Sequence, residues 1–181
     1  RIAVKREIVA NSNFRTLHIT PIPTGGGIVF SMVFVVGLFY LWWLNQLSNN
    51  LFLLLAVGGA AAALFGFLDD LKDIRATKKM IVQIVLSGWV IFLLEDYSLL
   101  YFEWLPSLVS ILVTLLFLVW MMNCYNFMDG IDGIAVSTAV FVSATMICVL
   151  LWTRPESDFI MVMALLLACS SAFMFFNWPP A

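Results

Sequence analysis

The stretch SLVSILVTLLFLVWMMNCYNFMDGIDGIAVSTAVFVSATMICVLLW (residues 107–152) contains two long apolar runs separated by a short polar segment. A helix that crosses a bilayer needs roughly 20 apolar residues, and the runs 107–122 and 134–152 approach that length. Backbone polar groups find no water in hydrocarbon, so each run is predicted to be a helix. The polar segment between them places side chains at steps of three residues: Asn123, Asn126, Asp129 and Asp132.

The rest of the chain is also rich in apolar residues and poor in charged ones. It has 181 residues, of which 63% are hydrophobic and 11% are charged, whereas a soluble domain carries roughly a quarter charged residues. We therefore predict an all-α fold, a polytopic transmembrane helix bundle with about six spans in a single membrane domain, 1–181. No basic tract is typical of a nucleic-acid-binding arm, so no nucleic-acid partner is expected. The predicted spans cover 27–44, 51–68, 80–94, 107–122, 134–152 and 159–176.

The basic residues predict the orientation of this bundle. Alternating spans place eight lysines and arginines in the segments on one side and only Arg154 on the other side. Because cytoplasmic loops are enriched in Lys and Arg, the first side is predicted to be cytoplasmic. Residues 1–26 are then a cytoplasmic or interfacial segment, 27–176 hold the six spans, and 177–181 begin a further cytoplasmic loop.

Asp69 and Asp70 lie at the predicted cytoplasmic end of the second span, directly after the apolar LFGFL. Two adjacent aspartates most often lie in an exposed loop. Burying a charged side chain at the border of a membrane costs free energy, however, and such residues are usually functional. Paired carboxylates suit Mg²⁺, which takes hard oxygen ligands and keeps several waters. Lys79, at the start of the next span, could meet a lipid headgroup or reach a diphosphate as a point charge.

The polar series of the opening stretch ends in DGIDG, which could form a plain turn. Its polar side chains begin inside the span, however, which a plain turn does not require. On an ideal helix the series from Asn123 to Asp132 drifts by about half a turn, so a local 3₁₀ turn or a break is expected there. A third segment, PIPTGGG (21–27), opens the first span, and the free amides of a helix N-terminus attract phosphate. It lacks the lysine and Ser/Thr of a P-loop.

Three motifs in this order, PIPTGGG (21–27), GFLDDLKDI (66–74) and NCYNFMDGIDGIA (123–135), resemble a known family. They are similar to the polyprenyl-phosphate N-acetylhexosamine-1-phosphate transferases, also described as bacterial glycosyl transferase family 4. The resemblance covers nearly the whole chain, and the form NFMDGIDG looks like the sugar-initiating branch rather than the peptidoglycan translocase.

The resemblance implies a Mg²⁺-dependent enzyme, with Mn²⁺ as an alternative metal, that transfers N-acetylhexosamine-1-phosphate from a UDP-N-acetylhexosamine to undecaprenyl phosphate. UMP leaves, and the lipid-linked product initiates a cell-envelope glycan of the O-antigen or teichoic type. The implied location is the bacterial cytoplasmic (inner) membrane, with membrane lipid around the enzyme and a homodimer left open.

The same resemblance implies roles for individual residues. Asp69 and Asp70 match an acidic pair near the lipid phosphate and are the expected catalytic residues. Asn126 matches a position associated with the metal-bound diphosphate. The expected substrate-binding residues are Asn123, Asp129, Asp132 and Lys79. Relative to the family, a first span before Arg1 and a second half after Ala181 are missing, so the fragment alone is expected to be inactive.

Two other functions remain as alternatives. A CDP-alcohol phosphatidyltransferase also carries DG motifs, but its signature places alanine and arginine after DG, and DGIDGIAV supplies no arginine. A membrane transporter could use the acidic residues as a relay, although transporters tend to place such groups near the midplane of the membrane.

Overall fold

The computed structural model describes residues 9–10, 22–23, 26–72, 74–94, 106–130 and 133–178. Within these ranges almost every residue is helical. Two two-residue strands pair antiparallel near the N-terminus, β1 (Val9–Ala10) and β2 (Ile22–Pro23). The helices are α1 (Gly26–Trp43), α2 (Asn49–Lys72), α3 (Ala76–Leu93), α4 (Ser107–Met128), α5 (Ile134–Thr153) and α6 (Phe159–Met174).

The predicted all-α membrane bundle is confirmed. Each of the six predicted spans corresponds to one helix, and four helices (α2 to α5) are long and apolar enough to cross a membrane. The other two, α1 and α6, are shorter apolar helices. α2 and α4 extend further at their C-terminal ends than the apolar runs indicated, because the helix continues through the polar motifs. The assignment of residues 1–181 to one domain remains a prediction.

The helices pack mainly against their neighbours in the chain. The most extensive contact is between α5 and α6, and α1 contacts both α2 and α6, whereas α4 contacts α5 only slightly. A buried cluster joins α1, α2 and α6 around Leu38, Leu51 and Val162. A methyl group added at Gly37 would lie 2.5 Å from Leu165 Cδ1, so the glycine allows α1 and α6 to approach closely.

Many large apolar side chains are exposed on the outside of the bundle. Trp152 is 90% exposed and Phe175 is 87% exposed, which would be unfavourable in water but is expected where lipid is the solvent. All three cysteines are free: Cys169 is buried, Cys124 is partly buried and Cys148 is exposed. α2 also widens into a π-helical turn at Leu53–Val57 in its apolar part.

Successive helices run in alternating directions, so the loops between them lie at two opposite ends of the bundle, as the alternation of spans predicted. The backbone N–H of Ser48 donates to Asp158 Oδ2 at 3.0 Å, which ties the loop before α2 to the loop before α6. At the opposite end, the rings of Phe30 and Phe173 lie 5.9 Å apart. Which end faces the cytoplasm remains a prediction from the distribution of basic residues.

Gly133 is the N-cap residue directly before α5, and its backbone is left-handed, with φ 76° and ψ −16°. Its carbonyl accepts a hydrogen bond from the N–H of Ser137 at 2.9 Å and another from Ser137 Oγ at 2.6 Å. Because a side chain is strained at this φ, we expect Gly133→Ala to lower the free energy of unfolding by about 1–2 kcal/mol.

Gly59 provides the matched control for this prediction. It lies within α2, and an added methyl group there would meet nothing within 4 Å. Gly59→Ala should therefore be neutral or stabilising by about 0.5–1 kcal/mol, since alanine favours a helix. Thermal unfolding of both variants in detergent measures the difference, and equal unfolding temperatures would contradict the role of Gly133.

Candidate active site at one end of the helices

Asp69 in the last turn of α2 is held by two partners. Its Oδ2 lies 2.7 Å from Lys79 Nζ in an ion pair, and its side chain is 19% exposed while that of Lys79 is 30% exposed. Its Oδ1 accepts a hydrogen bond from the N–H of Ile74 at 3.0 Å. Both oxygens of Asp69 are thus engaged, and this carboxylate fixes the turn that joins α2 to α3.

Asp70 differs from its neighbour because it is exposed and makes no side-chain hydrogen bond to another described residue. It lies within electrostatic range of Asp69 and Asp129, which repel its charge, and of Lys79, which attracts it. Asp70 is therefore the member of the acidic pair whose oxygens are available to a ligand.

A pair of side-chain amides joins α3 to α4. Gln83 Nε2 donates to Asn123 Oδ1 at 3.2 Å, and Asn123 Nδ2 donates back to Gln83 Oε1 at 2.9 Å. Asn123 Nδ2 also donates to the Val119 carbonyl at 2.8 Å. Both amide hydrogens of Asn123 are thereby engaged, and only its Oδ1 retains a free acceptor site.

The expected break in the polar series occurs directly after Met128. α4 is regular up to that residue, and Asp129 follows as its C-cap. The N–H of Asp129 donates to the Tyr125 carbonyl at 3.0 Å, and the N–H of Gly130 donates to the Phe127 carbonyl at 3.3 Å. The second bond spans three residues, as in a 3₁₀ turn, so the helix tightens as it ends.

The Asp129 residue is exposed at this helix end. The protein atoms around its carboxyl group nevertheless displace part of the water that would hydrate it. This burial raises the pKa of its carboxyl group above the usual value. The ionised form is therefore disfavoured unless a cation or a hydrogen-bond donor compensates its charge. Asn126, one turn earlier in α4, is exposed and makes no side-chain hydrogen bond to a described residue.

The structure thus brings most of the predicted site residues to one end of α2, α3 and α4. The Asp69–Lys79 ion pair links α2 to α3, the amide pair links α3 to α4, and the Asp70–Asp129 repulsion acts between α2 and α4. Asp132 lies outside the described residues, as do Pro21, Thr24 and Gly25 of the PIPTGGG segment. The catalytic, substrate-binding and metal-binding roles of the site residues remain predictions.

Gln83 was missed by the sequence reasoning. A signal was present, because Gln83 lies one helical turn after Lys79 in an otherwise apolar part of α3. Amide side chains inside apolar spans commonly form hydrogen bonds between helices. Its partner could not be identified in this way, because Asn123 lies 40 residues away in the chain.

The donor groups of this site fit Mg²⁺ bound together with a substrate. Among the described residues, no three His, Cys, Asp or Glu side chains form a group that could hold a metal ion alone. Asp70 and Asp129 nevertheless provide two mutually repelling carboxylates, and Asn126 provides an uncommitted amide oxygen. Mg²⁺ is commonly bound by one or two carboxylates, several waters and the phosphates of a substrate.

The sequence matches the family model described as glycosyl transferase family 4 over residues 51–181. A phospho-N-acetylmuramoyl-pentapeptide-transferase of Streptococcus pneumoniae serotype 19F (strain G54) is 33% identical over 176 residues, covering 88% of this chain and 52% of that protein. The decaprenyl-phosphate N-acetylglucosaminephosphotransferase of Mycobacterium leprae (strain TN) is 28% identical over 160 residues, covering 82% of this chain and 40% of that protein. The chain thus spans about half the length, or less, of these curated relatives.

Proposed function

The chain belongs to glycosyl transferase family 4, and from this premise we propose that the protein carrying it transfers a sugar phosphate from a UDP-N-acetylhexosamine to undecaprenyl phosphate. UMP is released, and the product is a lipid-linked diphosphate sugar that initiates a cell-envelope glycan. The name of the Mycobacterium leprae relative supports a polyprenyl phosphate as acceptor, and the names of both relatives support transfer of a phosphorylated N-acetylated sugar. The sugar-initiating branch remains our prediction from the form NFMDGIDG, because the relatives include a phospho-N-acetylmuramoyl-pentapeptide-transferase.

One observation supports this function above the others. Residues from three helices that the family resemblance marks as catalytic or phosphate-binding lie at a single end of the bundle, where Asp69 pairs with Lys79 and Asp70 lies within electrostatic range of Asp129. The site combines one ammonium group with several carboxylates, which suits a reaction between two phosphates in the presence of a divalent cation. We expect this end to lie at the cytoplasmic face of the bacterial inner membrane, where a UDP-sugar is available.

In the proposed reaction, an oxygen of the lipid phosphate attacks the β-phosphorus of the UDP-sugar. The bond between that phosphorus and the bridging oxygen breaks, and UMP leaves with the bonding electrons. The lipid phosphate is largely deprotonated at neutral pH, because the second pKa of a phosphate monoester is near 6. Asp70 positions this nucleophile or removes a residual proton, whereas Asp69 orients the Lys79 ammonium group toward the reacting phosphates.

Asp70, Asp129 and Asn126 are the residues that would hold Mg²⁺, with Asn126 as the predicted metal contact. When bound, the ion would screen the repulsion between the phosphates and stabilise charge in the transition state. Asn123 maintains the position of α4 against α3 through Gln83. Asp132 is expected to contribute to the same pocket on the basis of the family resemblance.

The decisive experiment measures UMP release and lipid product with the full-length protein, undecaprenyl phosphate and a set of UDP-N-acetylhexosamines. Release should require both substrates and stop on removal of divalent cations. A UDP-sugar that is chiral at the β-phosphorus distinguishes the two chemical routes. Inversion supports direct attack, whereas retention would indicate a covalent aspartyl-phosphate intermediate.

Two rival functions predict different results. A transporter would move ions or solutes across vesicles without releasing UMP, and a CDP-alcohol phosphatidyltransferase would release CMP from a CDP-lipid. The site residues lie at one end of the helices, whereas transporters tend to bind their substrates near the membrane midplane. Ion flux in the absence of UMP release would favour the transporter.

Gln83 supports a further prediction about the amide pair. Replacement by Leu removes both hydrogen bonds to Asn123 and allows α4 to shift relative to Lys79. Because a displacement of about 1 Å can reduce a rate by about 100-fold, we expect Gln83→Leu to lower kcat by about 10- to 100-fold.

An exchange of the two side chains tests whether the amide pair acts by positioning. Gln83→Asn combined with Asn123→Gln preserves one short and one long amide, so it should restore kcat to within about tenfold of the original value. If the exchange fails to restore kcat while each helix remains folded, the Asn123 amide contacts substrate directly. That outcome would contradict a purely positioning role.

A further inference from the structure

A basic groove lies where α2 ends and α3 begins, beside the candidate active site. It is lined by Leu68, Lys72, Ile74, Arg75 and Lys78 and has a volume of about 640 Å³. Among the described residues, no acidic side chain of the candidate site lines it. The proposed transfer reaction uses Lys79 but assigns no role to the three cations of this groove.

The three cations differ from Lys79 in their surroundings. Lys79 is neutralised by its ion pair with Asp69, whereas Lys72, Arg75 and Lys78 are exposed and form no ion pair with another described residue. Asp73, which lies between them in sequence, is outside the described residues. Three positive side chains around one concavity create a site that is complementary to an anion.

The start of α3 supports the same ligand chemistry. Arg75 is the N-cap residue and makes no side-chain capping hydrogen bond. The first amides of a helix lack intrahelical acceptors, and together with the helix dipole they attract phosphate. A phosphate in the groove would therefore meet both the basic side chains and the positive end of α3.

The other lining residues indicate that the anion carries an apolar part. Leu68 and Ile74 border the groove, and Leu68 keeps 36% of its surface exposed. Both flanking helices are long and apolar enough to cross a membrane, so the groove lies at the end of two spans. Lipid headgroups occupy this level of a bilayer, and basic pockets between spans bind them.

We propose that this groove is a binding site for the phosphate of an anionic membrane phospholipid. The lipid phosphate contacts Lys72, Arg75 and Lys78, and the beginning of its acyl chains packs against Leu68 and Ile74. The N–H of Ile74 donates to Asp69 Oδ1, so a lipid in the groove would also stabilise the turn that holds Asp69 and Lys79. This site is distinct from the acceptor position beside Asp70.

The test counts lipids retained by the full-length protein. The protein is reconstituted in nanodiscs of phosphatidylcholine with phosphatidylglycerol, transferred to detergent, and analysed by native mass spectrometry. A cation near a membrane surface contributes about a fivefold affinity for anionic lipid, so Arg75→Gln should weaken phosphatidylglycerol retention about fivefold. The triple variant Lys72→Gln, Arg75→Gln and Lys78→Gln should weaken it about 100-fold.

Arg154→Gln is the matched control, because Arg154 is also exposed but lies at the opposite end of the bundle. It should leave retention unchanged, as should the charge-preserving variant Lys72→Arg with Lys78→Arg. Equal retention by Arg75→Gln and the original protein would overturn the proposal, as would equal losses in Arg75→Gln and Arg154→Gln. Displacement of phosphatidylglycerol by polyprenyl monophosphate would also overturn it and assign the groove to the acceptor. Lipid counts do not depend on turnover, so this result is independent of the proposed transferase activity.

Discussion

Replacement of Asp70 by Asn should reduce sugar-phosphate transfer by about 1,000-fold, within the range of about 10²–10⁴ that a positioned acid–base group contributes. Asn keeps the shape of Asp70 but removes its charge and its ability to accept a proton. No protein hydrogen bond is lost, because Asp70 makes none to another described residue. Repulsion from Asp69 and Asp129 is also relieved, so the folded state should not be destabilised.

The comparison with Asp69 is the informative part of this experiment. Asp69→Asn retains an oxygen that can accept from the N–H of Ile74, but it loses the ion pair with Lys79. We therefore expect Asp69→Asn to lose less activity than Asp70→Asn. Asp158→Asn, at the opposite end of the bundle, is the control and should remain active. If Asp69→Asn abolished transfer while Asp70→Asn stayed within tenfold of the original, the two assignments would have to be exchanged.

Lys79→Met should lower the rate of transfer by about 100- to 1,000-fold, the usual effect of removing one group that stabilises charge in a transition state. The side chain retains its length but loses the ammonium group that lies 2.7 Å from Asp69 Oδ2. Initial rates at saturating and limiting substrate would show whether the loss lies in kcat or in KM. We expect it mainly in kcat, because charge develops during the transfer.

A second variant separates two explanations for this loss. Lys79 could act only by neutralising Asp69, or it could also contact a phosphate. In the double variant Asp69→Asn with Lys79→Met, residue 69 carries no negative charge, so no cation is needed to neutralise it. If Lys79 contacts a phosphate, the double variant should remain as slow as Lys79→Met. Recovery to the rate of Asp69→Asn would contradict the phosphate contact.

Several features of the fold could be predicted from the sequence because they depend on the hydrocarbon of the membrane, which surrounds the apolar runs. The apolar runs 107–122 and 134–152 had to be helices, since hydrocarbon offers no partner to an open backbone. A 3₁₀ turn or a break somewhere in the polar series 123–132 was also predictable from its three-residue spacing, and the structure shows that α4 ends at Met128. The exact ends of the helices were less certain, because hydropathy does not show where a helix continues through polar residues such as Asp69 and Asp70.

The sequence by itself determined that the chain forms a membrane helix bundle, and its motifs identified the acidic pair and the NxxNFMDGIDG segment as candidate site residues. Only the tertiary structure decided that Asp69 pairs with Lys79 while Asp70 makes no hydrogen bond to another described residue, and that Gln83 holds Asn123. The physical reason is the separation along the chain of the residues that each interaction joins. Helix formation depends on neighbouring residues and on the solvent around them, whereas a hydrogen bond or ion pair between helices requires atoms within about 3 Å. The relative position of two helices sets that distance, and no periodicity within one of them specifies it.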